Sequence, residues 1–576
     1  MSGLCGHVGP APDHWLPAML GAIGHRGDTD STVRSGPFAA GVRLVDSRPD
    51  SGAATTPAAG SRTWAVAGYT HSAKTTVDKL DAALMSGDWA TVDGAFAAAC
   101  WDTQSATLTL VRDPFGVAPL YYATVGESLV FSSELKQLLA IAELPAQVDA
   151  SALHKYLTFS FVPGDATPIA GVQRLLPGQL LRWSGGAERC ETWFSTRQVA
   201  HAEPTSQAEA AQSVWRLGMA ATRRRWSPDL GPVGVYLSGG IDSAAVALWL
   251  KRLGAEVVCL SLDFGEAGRE KAQAQAVADH LGAPLHWVPV TGEALHDALL
   301  PTVRALDLPF GDAVTVPQML LGRAAKALGL RQVFNGEFGD QLLGGWTQKP
   351  MLAAAMYADA DDEPEEQYLH AFHRFYGVED QLYTNEFAAQ IGGPGQRRAL
   401  LRPYLGDPSI DDFLTRVRLA DLRLKGSQNI LPRAERITAA LGLELRMPFA
   451  DRALAEYCLR LPPDLKLHGA NEKFALKVAL QGKLPGELIW RRKAGMGAPV
   501  TDWLMGPLRD VVEDVLGEAS VRRRGYFRPD YIGELRAGKD HPLETRRRRI
   551  GEKLWALLML ELWLRQFVDS RGQGAA

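Results

Sequence analysis

From residue 233 the chain reads Val233-Gly234-Val235-Tyr236-Leu237-Ser238-Gly239-Gly240-Ile241-Asp242-Ser243, then Ala244 to Leu253 and Gly254. The apolar run Gly234 to Leu237 predicts a buried strand, and Ile241 to Leu253 predicts a helix closed by Gly254. The junction between them predicts an anion site. Glycines let backbone come close to a ligand, free amides at a helix start point outward, and the helix dipole favours negative charge. Ser238 and Ser243 add hydroxyl donors. Asp242 would be repelled by phosphate unless a cation intervened, so it reads as a Mg²⁺ ligand.

Working outward, Val257 to Phe264 predicts the next strand and Gln332-Val333-Phe334 a third, with longer helical segments between them. That alternation predicts a parallel sheet covered by helices. Beyond about residue 410 the chain reads as mainly helical. The third strand runs into Asn335-Gly336-Glu337-Phe338-Gly339-Asp340-Gln341-Leu342-Leu343-Gly344-Gly345. Two acids three residues apart at the end of a buried strand lie where open α/β sheets bind ligands. Asp340 is then the second Mg²⁺ ligand opposite Asp242, and Glu337 is placed to take a proton from an attacking amine.

Upstream, residues 1 to about 200 are short alternating runs such as Thr107 to Val111 and Ser128 to Phe131, separated by turn residues. They predict a strand-rich unit. The polar stretch His201 to Gln207 marks a linker near 200–208. The acidic run Asp359 to Glu366 reads as a solvated loop.

With 576 residues, two to four domains are expected. A formal charge of −4 gives no general attraction to nucleic acid or an anionic membrane. Five cysteines stand singly, with no spacing for a zinc site. The apolar segment Leu554 to Leu564 contains Glu561 and is too short to span a bilayer, and a cytoplasmic location is expected.

The two loops, in this order, resemble the synthetase domain of the asparagine-synthetase-like family, which includes β-lactam synthetases and lasso-peptide macrolactam synthetases. The resemblance continues through Leu443-Glu444-Leu445-Arg446-Met447-Pro448-Phe449-Ala450-Asp451 and Arg491-Arg492-Lys493-Ala494-Gly495-Met496-Gly497-Ala498-Pro499. It implies a PP-loop ATP pyrophosphatase that cleaves ATP between the α and β phosphates and leaves an acyl-AMP for an amine to attack. Carried over, Ser238, Gly239, Gly240, Asp242 and Ser243 grip pyrophosphate. Leu237, Leu262 and Gly336 border the adenosine, Asp242 and Asp340 hold Mg²⁺, and Lys493 faces the α-phosphate and the developing oxyanion.

Residues 1–200 are similar to the family's glutaminase domain, through Cys5-Gly6-His7-Val8-Gly9, His25-Arg26-Gly27-Asp28, Asp93-Gly94-Ala95-Phe96 and Ser132-Ser133-Glu134-Leu135-Lys136. The implied architecture is an α+β sandwich of the Ntn-hydrolase type at 1–200 followed by a parallel-sheet synthetase domain with a helical C-terminal part at 209–576. Glutaminase chemistry is not expected. The family's nucleophile is an N-terminal Cys that uses its own amine as base, whereas Cys5 follows Met1-Ser2-Gly3-Leu4. Where the family has Asn-Gly-Glu to hold glutamine, this chain has Ala67-Gly68-Tyr69, although Arg43 and Asp93 remain.

An amine supplied by the substrate itself is the expected consequence. The resemblance then implies a lasso-peptide cyclase acting on a precursor peptide, beside a leader-binding protein and a leader peptidase. A glutamine- or ammonia-dependent asparagine synthetase, a β-lactam synthetase and a non-catalytic scaffold are the alternatives. The aromatics between Trp346 and Tyr404 (Tyr357, Tyr368, Phe372, Phe375, Tyr376, Tyr383) read as core residues of an ordinary helical insertion, with the lining of a wider peptide pocket as the alternative.

Overall fold

The computed structural model describes residues 2–44, 52–55, 61–71, 75–268, 270–345, 351, 363–372, 374–393, 395–492, 497–539 and 547–570. The front half is built from twelve strands: β1 (Gly3–Val8), β2 (Thr29–Ser35), β3 (Phe38–Leu44), β4 (Gly52–Thr55), β5 (Arg62–Thr70), β6 (Gly94–Asp102), β7 (Thr107–Arg112), β8 (Tyr121–Val125), β9 (Ser128–Ser132), β10 (Val172–Arg174), β11 (Gln179–Ser184) and β12 (Ala187–Thr192). They form two six-stranded sheets, ordered β10-β8-β9-β1-β3-β2 and β12-β11-β7-β6-β5-β4. Each sheet gives alternate side chains to a shared core, with Leu4, Phe38 and Phe131 from one facing Ala97, Leu108 and Leu181 from the other.

Helix α1 (Gln207–Arg225) opens the second half with a capping box between Ser206 and Glu209. It leads to β13 (Val233–Tyr236), helix α2 (Ile241–Arg252), β14 (Val257–Asp263), β15 (Leu285–Pro289), β16 (Gln332–Phe334) and β17 (Glu444–Arg446). The five strands are parallel, in the order β15-β14-β13-β16-β17. The chain first moves outward from β13 to β14 and β15, then returns to the other side of β13 as β16. That reversal opens a crevice at the C-terminal ends of β13 and β16, and the two glycine-rich loops lie there. The strands and helix expected from sequence are present within one residue at each end, because buried parallel strands carry continuous apolar runs.

Farther on, a ten-residue π-helix (Asp421–Ile430) runs directly into helix α3 (Leu431–Ala439). Helix α4 is Phe474–Leu480, and helix α5 (Arg547–Leu564) carries Leu554, Trp555 and Trp563 fully into the core. No described helix is long and apolar enough to cross a membrane.

Aromatic packing fixes the helix that bears the phosphate loop. Trp249 of α2 is fully buried, and a Cβ built on Gly218 of α1 would clash with its indole ring, 2.5 Å from Cη2. Alanine is the better helix former by about 1 kcal/mol. Overpacking a full core costs about 1–3 kcal/mol, so the clash outweighs the propensity gain. Gly218→Ala should therefore lower the thermal midpoint in calorimetry; a raised midpoint would contradict the packing described.

Candidate active site

Gly239, at φ +76°, turns the chain from β13 into α2. A Cβ there would come within 2.9 Å of the Glu270 carbonyl oxygen and the Ala274 amide. Gly240 caps α2, and Ser238 Oγ accepts from its amide at 3.2 Å. Ser238 Oγ and Ser243 Oγ lie 3.3 Å apart, so both hydroxyls face the mouth of the loop. Arg491 holds the outer side, donating to the Gly239 carbonyl at 2.7 Å and pairing with Glu270 at 2.9 Å.

The second loop presses against the first. A Cβ on Gly336 would lie 2.6 Å from the Ser243 amide nitrogen, and one on Gly339 would lie 2.7 Å from Asp242 Oδ1. Only glycine lets the backbones approach this closely. Asp242 and Asp340 consequently converge, and Lys473 sits between them: its Nζ pairs with Asp242 and lies 2.6 Å from Asp340 Oδ1. Lys473 is 3% exposed and adopts a left-handed backbone (φ +55°) as the cap of α4. Burial pulls its pKa down, but the two carboxylates outweigh burial and hold it above its ordinary value.

Sequence reading missed Lys473, placing the site's cation at Lys493, which lies outside the described residues. The overlooked signal was Asn471-Glu472-Lys473 ahead of an apolar helix, a lysine in a segment too apolar to solvate it.

Glu337 is half-buried beside this pair. Gln318 Nε2 donates to it at 3.3 Å, and Arg433 Nη2 lies 3.7 Å away. Arg433 is held in turn by Asp312 at 2.6 Å, which also accepts from Asn429 at 2.8 Å. Burial is the largest influence on the Glu337 carboxyl and pushes its pKa up; Asp340 and Asp242 add to the rise, and Arg433 opposes it. The next residue, Phe338, has φ +78°, a conformation that bulky side chains rarely adopt.

These groups line one cavity of about 1140 Å³. Leu237, Leu262 and Gly336 border it as expected, as do Ser238, Gly240, Asp242, Ser243, Glu337 and Asp340. Gly239 shapes the turn without lining it. The π-helix adds Asp421 and Lys425 to the wall. Among the described residues the aromatics after Trp346 follow the core reading and not the pocket alternative. Tyr368, Phe375 and Tyr383 are buried core residues, Tyr376 packs against that core, and none of the four borders the cavity. Tyr368 donates instead to Asp421 at 2.8 Å, and the Tyr383 hydroxyl lies 2.8 Å from His154 Nδ1. Trp346, Tyr357, the Phe372 side chain and residues 359–362 lie outside the described residues.

Asp242 and Asp340 suit a hard divalent cation, since they are oxygen donors that already converge on one positive charge. Among the described residues no cluster of three or more potential ligands could hold a metal by itself. Two carboxylates completed by phosphate oxygens is the manner in which Mg²⁺ is commonly held.

Among its described residues the front domain offers a much smaller cavity. Cys5 lies mid-strand in β1, opposite Gly41 and Ser132, fully buried, and burial pushes its thiol pKa up. The residue facing the domain's small cavity is Ser2, not Cys5. That cavity, bordered also by Arg26, Ala67, Gly68 and Glu435, measures about 10 Å³, room for one water at most. Arg43 forms a two-pronged pair with Asp30, at 2.7 Å on each arm. Asp93 accepts from the Gly94 and Arg452 amides at 2.9 and 3.3 Å, and the Arg446 guanidinium lies 4.4 Å from the Tyr69 ring centre. Every polar position expected to contact glutamine thus has an internal partner.

Comparison with known proteins agrees with this layout. The asparagine synthase family matches residues 219–565, and the glutamine amidotransferase domain matches residues 84–194. Asparagine synthetase [glutamine-hydrolyzing] 1 of Bacillus subtilis is 25% identical over 500 residues, covering 82% of this chain and 77% of its own. A putative asparagine synthetase of Mycobacterium tuberculosis is 28% identical over 516 residues, covering 83% and 77%. Amidase chyE of Penicillium rubens is 24% identical over 502 residues, covering 75% and 74%. With the family matched over more than half its length, the chain belongs to the asparagine synthase family of ATP-dependent amide-forming ligases, with a glutamine amidotransferase-type domain in front.

Proposed function

We propose that the protein is an ATP-dependent lasso-peptide cyclase, which adenylates an Asp or Glu side chain of a precursor peptide and closes a macrolactam with the peptide's own N-terminal amine. The observation that carries this reading is the contrast between the two cavities. About 10 Å³ at Ser2 leaves no room for glutamine among the described residues, which supports a front domain that supplies no ammonia, whereas about 1140 Å³ at the synthetase site exceeds the usual range for a single small ligand. That volume suits ATP together with part of a peptide. A leader-binding protein and a leader peptidase are the partners this role requires. The names of the relatives favour a second reading, an asparagine synthetase fed by free ammonia.

In the first step the side-chain carboxylate attacks the α-phosphorus, the bond to the β-phosphate bridging oxygen breaks, and pyrophosphate leaves toward Ser238, Ser243 and the amides at the start of α2. Mg²⁺, held by Asp242 and Asp340, would offset phosphate charge. Lys473 keeps a fixed cation beside those carboxylates and the reacting phosphate, help that is already oriented before reaction. In the second step the amine attacks the acyl carbon, AMP departs with the bridging oxygen, and the amine proton passes to Glu337. Its raised pKa makes Glu337 a better base than an ordinary carboxylate, and Gln318 and Arg433 fix its orientation.

The reading is tested with a panel of linear synthetic peptides that differ in the position of one Asp or Glu. The expected product is a peptide lighter by one water, with AMP and pyrophosphate, in the absence of glutamine and ammonium. Conversion of aspartate and ammonium with no peptide turned over would overturn it. Lys473→Met should slow turnover ~100- to 1000-fold, the usual cost of losing a preorganised charge; a loss under threefold would exclude Lys473 from the chemistry. In rate-against-pH profiles, amide formation should fall as pH drops through the raised Glu337 pKa, because the charged form is the base. Glu337→Gln should lose that limb along with about 10²-fold or more of the rate. An unaltered profile would remove Glu337 from the proton's path.

A further inference from the structure

Helix α3 carries three charged residues within four positions, each aimed at a different target. Arg433 reaches the synthetase site, at 3.7 Å from Glu337 and 2.6 Å from Asp312. Glu435 points to the front domain and receives the Arg26 guanidinium on both oxygens, at 2.6 and 3.1 Å. Arg436 meets the front domain's Tyr121 through its hydroxyl, and also donates to the Leu306 carbonyl at 2.9 Å. Arg26 is anchored on its own side by Glu134. Arg26, Glu134, Arg433, Glu435 and Arg436 are all at most 4% exposed, so each relies on these partners for its charge.

A second arm reaches the loop of Glu337 directly. Front-domain Phe115 packs edge to face on Phe338, with ring centroids 5.5 Å apart. Phe115 is presented by a rigid turn: the Asp113 carboxylate accepts from the amides of Phe115, Gly116, Val117 and Ala118 at 2.7 to 3.1 Å. Arg112 donates to the carbonyls of Gly116, Ala118 and Leu175. That turn is also pressed against the π-helix, where a Cβ on Gly116 would lie 2.9 Å from the Ser427 carbonyl oxygen. A Cβ on Gly426, in the π-helix, would lie 2.6 Å from the Phe338 ring. The left-handed Phe338 is therefore held between the two domains, as a strained residue must be held by its surroundings.

The geometry points to a function for the front domain that needs no glutamine: it is a clamp for the amine-transfer half of the synthetase site. Phe115 fixes the backbone that carries Glu337, while Arg26 and Tyr121 fix the helix that carries Arg433. Phe115, Tyr121 and Arg26 are positioning residues, and none of them borders the synthetase cavity. Among the described residues the Arg26 and Tyr121 arm has no contact with the phosphate loop or the Asp242–Lys473–Asp340 cluster, whereas Phe338, held by Phe115, adjoins Gly339, which packs on Asp242. The Arg26 and Tyr121 arm consequently serves the second step alone, and the Phe115 arm bears on both. The clamp rests on the reading of Glu337 as the acceptor of the amine proton.

The test separates the two half-reactions in the full-length chain. Removing Arg26 would leave Glu134 and Glu435 buried without their cation and could prevent folding. The variants are therefore Phe115→Leu and Tyr121→Phe, each melted alongside wild type and assayed with the peptide that wild type converts best. Amide formation should fall about tenfold or more, since small displacements of a positioned group are costly. Pyrophosphate exchange into ATP, which reports adenylation alone, should stay within about twofold in Tyr121→Phe, whose arm acts only through the helix of Arg433. Hydrogen exchange at residues 335–343 and 431–439 should quicken in both variants, with that of β14 unchanged. Equal loss of both half-reactions in Tyr121→Phe would mean plain destabilisation and overturn the clamp, as would unchanged amide formation in both variants. If wild type converts only aspartate and ammonium, the peptide reading fails by itself, and the same two half-reactions of that pair decide the clamp.

Discussion

Two carboxylates brought together by glycine are the constraint on which this site depends. Asp242 and Asp340 arrive from loops after different strands, and the backbones meet only because Gly336 and Gly339 lack side chains. Like charges this close cannot stay bare in a protein interior, so the fold supplies a cation. Lys473, drawn from far along the chain and held in a left-handed conformation, neutralises them in the absence of other ligands. Gly345 is needed for the same reason, since a Cβ there would overlap both Asp340 and Lys473. The arrangement is primed to exchange part of that neutralisation for a divalent cation and phosphates when nucleotide binds.

The front domain keeps the sheets of a glutamine amidotransferase-type domain, and the three residues at its expected glutamine positions have internal partners. Arg43 is tied to Asp30, Asp93 to the start of a synthetase-domain helix, and Tyr69 to Arg446. Two of those three partners belong to the other domain, so the residues now join the halves. The core agrees, running without a break from Val130 and Tyr156 of the front half to Trp249 and Trp563 of the second. A domain bound this tightly affects the synthetase site through packing whether or not it performs chemistry.

Much of this was readable in advance where chemistry and backbone requirements coincide in a short stretch. Ser238 to Ser243 and Asn335 to Gly345 each follow a buried strand and need their glycines, so pattern and purpose could be read together. The switch point placed the two loops side by side without any side-chain detail. What escaped the sequence depends on long-range contacts. Lys473 is one lysine among many until its two carboxylates are seen. The choice between Cys5, inside β1, and Ser2, just ahead of it, depends on which residue faces the small cavity. The aromatics after Trp346 have the composition of a pocket lining, and those described pack inward because a helical insertion must first build its own core. Arg433 gains meaning only beside Glu337.

The central claim is that this site activates a carboxylate as its adenylate and that the substrate itself supplies the amine. Isotope transfer tests both halves at once, using a convertible peptide labelled with ¹⁸O in its Asp or Glu side chain, without glutamine or ammonium. The account predicts one labelled oxygen in AMP, none in pyrophosphate, and a peptide lighter by one labelled water. Label in inorganic phosphate, or turnover only after ammonium is added, would contradict it.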